Sequence, residues 1–138
     1  MIRKSLGLRA RKTNQTQFGN YVEEQTCRWL STRGVTILKR NFRCRAGEID
    51  IIGQHQDSIA FIEVRFRRSN QYGGAAASVD ARKQQKLIRA AQFYLSSRSA
   101  AHNAPCRFDV VAVTDNNGEL DFNWHQAAFS LDDMTHAF

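Results

Sequence analysis

Hydrophobic and polar positions divide the chain into two helical stretches and several short strands. Apolar residues at helical spacing predict one helix from about Gln17 to Arg33 and another from about Val79 to Arg98. Alternating and continuous apolar runs predict strands, at 35–39, around Asp50, around Glu63, at 107–113 and at 120–124. This order of elements predicts a mixed α/β domain in which helices flank a central sheet.

Two of the apolar runs carry an acidic residue in their interior. Asp50 is followed by Ile51 and Ile52, and Glu63 is preceded by Phe61 and Ile62. Carboxylates are rarely buried unless they are paired or bind a metal. Spacing alone does not exclude a purely structural alternative, in which the two acids lie near strand ends and pair with arginines.

The polar segment between the two runs, Gly53–Asp57, predicts a β-hairpin loop. A hairpin that closes between Gly53 and Ser58 would place Ile52 opposite Ile59 and Asp50 opposite Phe61, so that Asp50 and Glu63 become diagonal neighbours on one face. Diagonal neighbours across a sheet lie about 7 to 8 Å apart at the backbone. Asp50 and Glu63 are therefore predicted to share one cation, and oxygen ligands favour Mg²⁺ or Mn²⁺.

Several motifs in order resemble a known family. They are Gly47-Glu48-Ile49-Asp50, Phe61-Ile62-Glu63-Val64-Arg65, Tyr72-Gly73-Gly74 and Arg107-Phe108-Asp109-Val110-Val111. The chain resembles the YraN-type bacterial endonuclease-like family over about residues 18–129. That family is similar to the archaeal Holliday-junction resolvases of the PD-(D/E)xK nuclease group. The resemblance implies a restriction-endonuclease-like fold, a metal-dependent endonuclease activity and structured DNA as the substrate.

The resemblance also implies a set of site residues. Glu23 on the first helix, Asp50 and Glu63 match the acidic positions of the nuclease motif, and Arg65 stands where that motif has lysine. Arginine stays protonated at any working pH, so Arg65 is a poor general base. It can still hold the scissile phosphate or offset charge in the transition state. The alternative to an enzyme is a nucleic-acid-binding module that keeps the nuclease fold without catalysis.

The charge distribution points to an anionic partner. The net charge is +7, and residues 1–106 hold nineteen of the 20 Lys and Arg but only seven of the 13 Asp and Glu. Such an excess of positive charge suits a phosphate backbone. The residues predicted to contact nucleic acid are Arg43, Arg45, Arg67, Arg68, Arg82, Lys86 and Arg89. Solvated charged faces are the common alternative for such residues.

Two further residues are candidate neighbours of the site. Glu48 shares the predicted Asp50 face but can equally pair with Arg43 or Arg45. Gln84 projects from the apolar side of the second helix and needs a hydrogen-bond partner there. Asp109, in contrast, is predicted to form a structural pair with Arg107 or with a neighbouring arginine.

Composition limits the remaining possibilities. A chain of 138 residues can bury one core, so one domain is predicted, over residues 16–130. A basic arm over residues 1–15 is predicted to precede it, and a tail over residues 131–138 to follow it. No run reaches the roughly 20 apolar residues of a membrane span. The three cysteines suggest neither a disulfide framework nor a zinc site, which favours a cytoplasmic location. By analogy with the resolvases, the protein is expected to be able to form a homodimer.

Overall fold

The computed structural model of the protein describes residues 7–68, 79–98 and 104–130. The first part of the chain forms helix α1 and three strands. The second part forms helix α2 and two further strands. The elements are α1 (Gly7–Thr32), β1 (Val35–Cys44), β2 (Gly47–His55), β3 (Ser58–Arg67), α2 (Ala81–Ser96), β4 (Cys106–Asn116) and β5 (Glu119–Phe129).

The five strands form one mixed sheet in the order β1-β2-β3-β4-β5. All neighbours are antiparallel except β3 and β4, which run parallel. Parallel neighbours require a crossover connection, and α2 lies in that connection. Asp80 caps the start of α2 by accepting a hydrogen bond from the backbone N–H of Lys83 at 2.8 Å.

The two helices cover opposite faces of the sheet. On one face, Val22 and Leu30 of α1 pack against Ile51, Ile62 and other strand residues. The other face packs against α2 through residues that include Leu87, Tyr94, Ile52, Phe61 and Phe108. A mixed sheet between two helices is the predicted α/β architecture, and it is a restriction-endonuclease-like fold.

The observed elements are longer than the sequence pattern predicted in three places. α1 begins at Gly7 instead of near Gln17, β1 continues to Cys44, and β5 continues to Phe129. The loop with Tyr72-Gly73-Gly74 and the segments 1–6 and 131–138 lie outside the described residues. The predicted arm and tail therefore stay predictions. Neither helix, in the part of the chain that the structure describes, has the length and apolar character needed to cross a bilayer.

Candidate functional site

The candidate site lies where β2 and β3 separate. The ladder between these strands runs from His55↔Ser58 to Ile51↔Ile62 and then stops. The next positions along the two strands are Asp50 and Glu63. β3 stays paired with β4 well beyond this point, so the separation opens a gap on the β2 side only.

Asp50 occupies this gap. Its Oδ2 accepts a hydrogen bond from the backbone N–H of Val64 at 2.9 Å. In a continuous ladder that N–H would be free to bond to the neighbouring strand, so the carboxylate replaces a strand partner. The Asp50 side chain is thereby fixed against the backbone of β3, next to Glu63.

The predicted hairpin register is wrong by two residues. Ile52 lies opposite Phe61 instead of Ile59, because the strands are joined by only Gln56 and Asp57. Gln56 adopts a left-handed φ of 54°, which helps so short a turn to close. The shorter turn brings Asp50 beside Glu63 in strand order, closer than the diagonal position that was predicted.

Regular alternation along β2 predicts that Ile49 and Ile51 share one face of the sheet, and this prediction is also wrong at Asp50. Ile49 and Ile52 pack on the α2 face, whereas Ile51 packs on the α1 face. On the neighbouring strand β1, Arg40 and Phe42 pair with Ile51 and Ile49, and Asn41 between them lies beside Asp50 in strand order. Asn41 has a left-handed φ of 53°. The strand is therefore irregular at the residue that carries the carboxylate.

An open cavity of about 250 Å³ lies at this gap. A water molecule takes up about 30 Å³, so the cavity has room for a hydrated cation and part of a ligand. Three acidic side chains, Glu23, Asp50 and Glu63, contribute to its wall. The other lining residues among those described are Phe18, Gly19, Val22, Val64 and Phe66.

Glu63 is the most strongly perturbed acid of the site. Burial, a side-chain hydrogen bond with Asp50 and the negative charge of Asp50 raise the pKa of Glu63 to about 8, from an ordinary value of 4.5. Lys83 and Arg65 act in the opposite direction but with smaller effect. The Asp50–Glu63 pair therefore tends to keep a proton when no cation is bound.

Glu23 enters the same cavity from α1. Burial, followed by the charge of Asp50, raises the pKa of Glu23 to about 7, although Arg40 partly offsets this effect. The structure thus brings Glu23, Asp50 and Glu63 together, as the family resemblance implied. Their mutual repulsion is what a divalent cation would relieve.

Two carboxylate oxygens in the cavity are buried without a hydrogen-bond partner. They are Glu23 Oε1 and Glu63 Oε2. Buried acceptors are normally satisfied, so unmet oxygens in an acidic pocket fit an oxygen-ligated cation. No group of three or more Asp, Glu, His or Cys side chains in the described residues is arranged to hold a metal by itself.

Two cationic side chains adjoin the acids. Lys83 Nζ lies 3.5 Å from Glu63 Oε2, a contact that forms an ion pair but lacks hydrogen-bond geometry. Arg65 is half-buried, and its Nε has no hydrogen-bond partner. The Arg65 Nε is thus a buried donor without an acceptor, and Arg65 is absent from the described residues that line the cavity.

The other predicted site residues lie outside the cavity wall. Arg43 pairs with Glu48 at 3.5 Å on the surface, and the Gln84 amide donates to the carbonyl of Val79 at 2.8 Å. Glu48 therefore pairs with one of the arginines that the sequence offered, and Gln84 finds its hydrogen-bond partner in the backbone just before α2. The remaining predicted nucleic-acid contacts are exposed, and they are Arg45, Arg67, Arg68, Arg82, Lys86 and Arg89.

Sequence reasoning missed Lys83. Its neighbours Arg82 and Lys86 were selected, yet Lys83 lies four residues before buried Leu87 and so shares the sheet-facing side of α2. That spacing was the available signal. The helical spacing of Phe18 with Val22, Thr26 and Trp29 predicts that Phe18 is buried, but Phe18 is 43% exposed and lines the cavity.

The fold and the site define an α/β domain with a restriction-endonuclease-like architecture and an acidic cavity at a strand separation. The model of a family described as "Uncharacterised protein family UPF0102" matches residues 22–113, and the chain belongs to this family. It is 43% identical to a UPF0102 protein of Nitrosococcus oceani over 83% of this chain and 92% of the relative. It is 46% identical to one of Saccharophagus degradans over 88% of this chain and 98% of the relative.

Proposed function

We propose that this protein is a Mg²⁺- or Mn²⁺-dependent endonuclease that acts on DNA. The observation that carries the proposal is the cavity at the separation of β2 and β3, where three carboxylates meet. Two of their buried oxygens accept no hydrogen bond, although one of them, Glu63 Oε2, forms an ion pair with Lys83. Acidic groups held this close favour a bound cation. A phosphodiester is a suitable substrate because its oxygens can complete the ligand shell of such a cation.

In the proposed site, Asp50 and Glu63 are the cation ligands. Asp50 is oriented by the N–H of Val64, and Glu63 extends from the adjoining position of β3. When bound, the cation would neutralise charge on the phosphate and lower the pKa of a water molecule. Glu23, opposite these two residues, would orient the attacking water and accept its proton, since its pKa of about 7 suits a general base.

The two neighbouring cations have separate roles in this proposal. Arg65 remains protonated and would offset negative charge on the phosphate in the transition state. Lys83 pairs with Glu63 and limits the negative charge that accumulates before the cation enters. Proton transfer is thus assigned to a carboxylate and not to Arg65.

The substrate class rests on the basic surface and on the family resemblance. The exposed Arg45, Arg67, Arg68, Arg82, Lys86 and Arg89 would contact phosphates of the bound DNA. Branched DNA is proposed because of the resemblance to the Holliday-junction resolvases. A homodimer with two cavities would then cut two strands of a junction. A cytoplasmic location, for which the three free cysteines argue, belongs to the same proposal.

The alternative is a non-catalytic nucleic-acid-binding module. Arg65, at the position where the nuclease motif has lysine, is the observation that favours it. In that case the cavity would hold a cation and a phosphate without hydrolysis.

The test is cleavage of end-labelled four-way junction, flap, duplex and single-stranded DNA in Mg²⁺ or Mn²⁺. Asp50→Asn and Glu63→Gln are compared with Asp121→Asn, which changes an exposed carboxylate of β5. We expect cleavage by the natural protein and by Asp121→Asn, and none by the two cavity variants. Binding of DNA without cleavage by any of the proteins would establish the non-catalytic module.

A further inference from the structure

Aromatic side chains form one wall of the acidic cavity. Phe18 and Phe66 both line it, with their ring centroids 4.9 Å apart and their planes at 80°. Tyr21, one helical turn after Phe18, is 6.5 Å from it between ring centroids. Phe18 and Tyr21 are 43% and 48% exposed, which makes them two of the four exposed large apolar residues in the described chain.

Gly19 adjoins this wall inside α1. Glycine in a helix interior is less stable than alanine there, so its presence needs a reason. Its φ is not positive, and a Cβ built on it would meet nothing within 4 Å. Neither backbone conformation nor packing therefore requires glycine at this position. The open space next to it belongs to the cavity.

The surroundings specify the chemistry of an occupant. Acidic groups that fit a cation lie on one side, and the exposed Arg67 and Arg68 follow Phe66 on β3. A ligand that matches the aromatic wall, the arginines and the acidic groups has a flat apolar part, a negative charge and affinity for a cation. A nucleotide unit of a nucleic acid has these properties, and aromatic side chains stack on bases of any sequence.

We propose that Phe18, Tyr21 and Phe66, with the space left by Gly19, form a stacking subsite for one unpaired nucleobase, next to the phosphate that a cation at Asp50 and Glu63 would hold. The inference rests on the proposed function and narrows its substrate. A base inside a duplex is stacked on both sides by its neighbours and is available only after it is unstacked. The substrate is therefore a nucleic acid with an unpaired nucleotide at the reacting phosphate, as in a single strand, a flap or a branch point.

The test is a double-mutant cycle in which one change is made in the protein and the other in the nucleic acid. Fluorescence anisotropy measures the affinity of the full chain for a labelled single strand and for the matching duplex, in Ca²⁺ as an oxygen-ligated cation. The single strand is also made with an abasic site at each position in turn, and as RNA. Phe18→Ala and Gly19→Ala are compared with Phe122→Ala, an aromatic residue of β5 that packs on Trp29 and does not line the cavity.

We expect Phe18→Ala to weaken single-strand binding by about 5- to 150-fold, the range found for loss of one base stack. One abasic position should cause a similar loss, and the two changes together should cost no more than either alone. Gly19→Ala should weaken the same binding although it raises the urea midpoint, which excludes misfolding as the cause. Phe122→Ala should leave the affinity unchanged.

Several outcomes overturn the inference. One is an unchanged single-strand affinity in Phe18→Ala. Another is a loss of duplex affinity in Phe18→Ala as large as its loss of single-strand affinity. The third is that the loss from Phe18→Ala adds fully to the loss from every abasic site. Cleavage that depends on Asp50 together with any of these results would remove the subsite but keep the proposed function. Single-strand binding that depends on Phe18, without cleavage of any substrate, would keep the subsite and remove the hydrolytic function. Absence of binding to every DNA and RNA would remove both.

Discussion

Two buried acidic regions of the sheet differ in how their oxygens are satisfied. Asp109 of β4 is 1% exposed, yet Oδ1 accepts from Arg107 Nε and the Ala127 N–H, and Oδ2 accepts from Arg107 Nε and Trp124 Nε1, all at 2.9–3.1 Å. In the acidic cavity, Glu23 and Glu63 each keep a buried oxygen that accepts no hydrogen bond, and Glu63 Oε2 has only the ion pair with Lys83 at 3.5 Å. Burial of a carboxylate is thus common to both regions, and unmet acceptors distinguish the candidate site.

The network around Asp109 extends to a further residue. Arg107 contacts His55 Nδ1 at 2.8 Å, and the His55 ring packs on Trp124 with 4.9 Å between ring centroids. Because the guanidinium only donates, His55 Nδ1 must accept in this contact. The Asp109 network is a closed structural unit that joins β2, β4 and β5, as its predicted pairing with Arg107 suggested.

The largest expected effect is on stability and comes from the satisfied region. Asp109→Ala would leave the Arg107 charge and the Trp124 and Ala127 N–H groups without their acceptor. We expect the free energy of unfolding to fall by about 3–5 kcal/mol. Urea unfolding measures it, with Asp121→Ala as the exposed control. A loss of less than about 1 kcal/mol would contradict a structural role for Asp109.

The second effect is a pH dependence that arises from the unsatisfied region. Glu23 and Glu63 have pKa values of about 7 and about 8 in the folded state and about 4.5 when unfolded. Between these values the folded state binds more protons, so stability in chelator should fall as the pH rises from about 4.5 to about 8. We expect a loss of about 2–3 kcal/mol, well below the sum of the two shifts, because solvent screens Glu23 and because Asp50 and Glu63 titrate as a pair. Urea midpoints at several pH values measure this loss.

Glu63→Gln provides the matched control for this pH dependence. The variant cannot ionise at position 63, so its stability should fall less over the same pH range. Asp50 and Glu23 remain in the cavity, so part of the dependence should persist. An identical pH profile in Glu63→Gln and the natural protein would show that Glu63 does not carry the effect.

A cation should reverse the same loss. Mn²⁺ at ten times its dissociation constant would stabilise the folded protein by about 1.4 kcal/mol. The effect should be larger at pH 8 than at pH 5, because the carboxylates must be deprotonated to bind. Thermal unfolding with and without Mn²⁺ measures this difference. An equal shift in Glu63→Gln would place the cation elsewhere.

The smallest effect concerns Lys83. Its charge lowers the pKa of Glu63, so Lys83→Met should raise that pKa further and shift the pH-dependent loss of stability to higher pH. The Lys83 side chain is 37% exposed, which screens the interaction, and we expect less than about 1 kcal/mol. NMR titration of the Glu63 carboxyl carbon measures the shift. Lys86→Met, on the exposed side of α2, is the control.

The contrast between the two regions explains what the sequence could predict. Glu63 and Asp109 both lie within apolar runs, Ile62-Glu63-Val64 and Phe108-Asp109-Val110, so hydrophobic pattern marks both as buried acids. An arginine lies two residues from each acid, Arg107 before Asp109 and Arg65 after Glu63, so the sequence did not show which acid is paired. The partners Trp124 and Ala127 come from β5 and depend on strand pairing.

The fold class could be predicted because the helical and strand periodicities are clear over most of the chain. The register of the hairpin could not, because it depends on a left-handed Gln56, a conformation that glutamine rarely adopts. The joint position of Glu23, Asp50 and Glu63 followed from the family resemblance, whereas spacing alone linked only the two strand acids. The contact of Lys83 with Glu63 depends on how α2 docks on the sheet, which pattern does not specify.

The most direct test of the central claim is Mn²⁺ binding followed by electron paramagnetic resonance. The natural protein and Asp121→Asn are titrated beside the double variant Asp50→Asn, Glu63→Gln at pH 8. The account predicts that the first two proteins bind Mn²⁺ and that the double variant does not. Equal binding by all three proteins, or no binding by the natural protein, would contradict assignment of the cavity as a cation site.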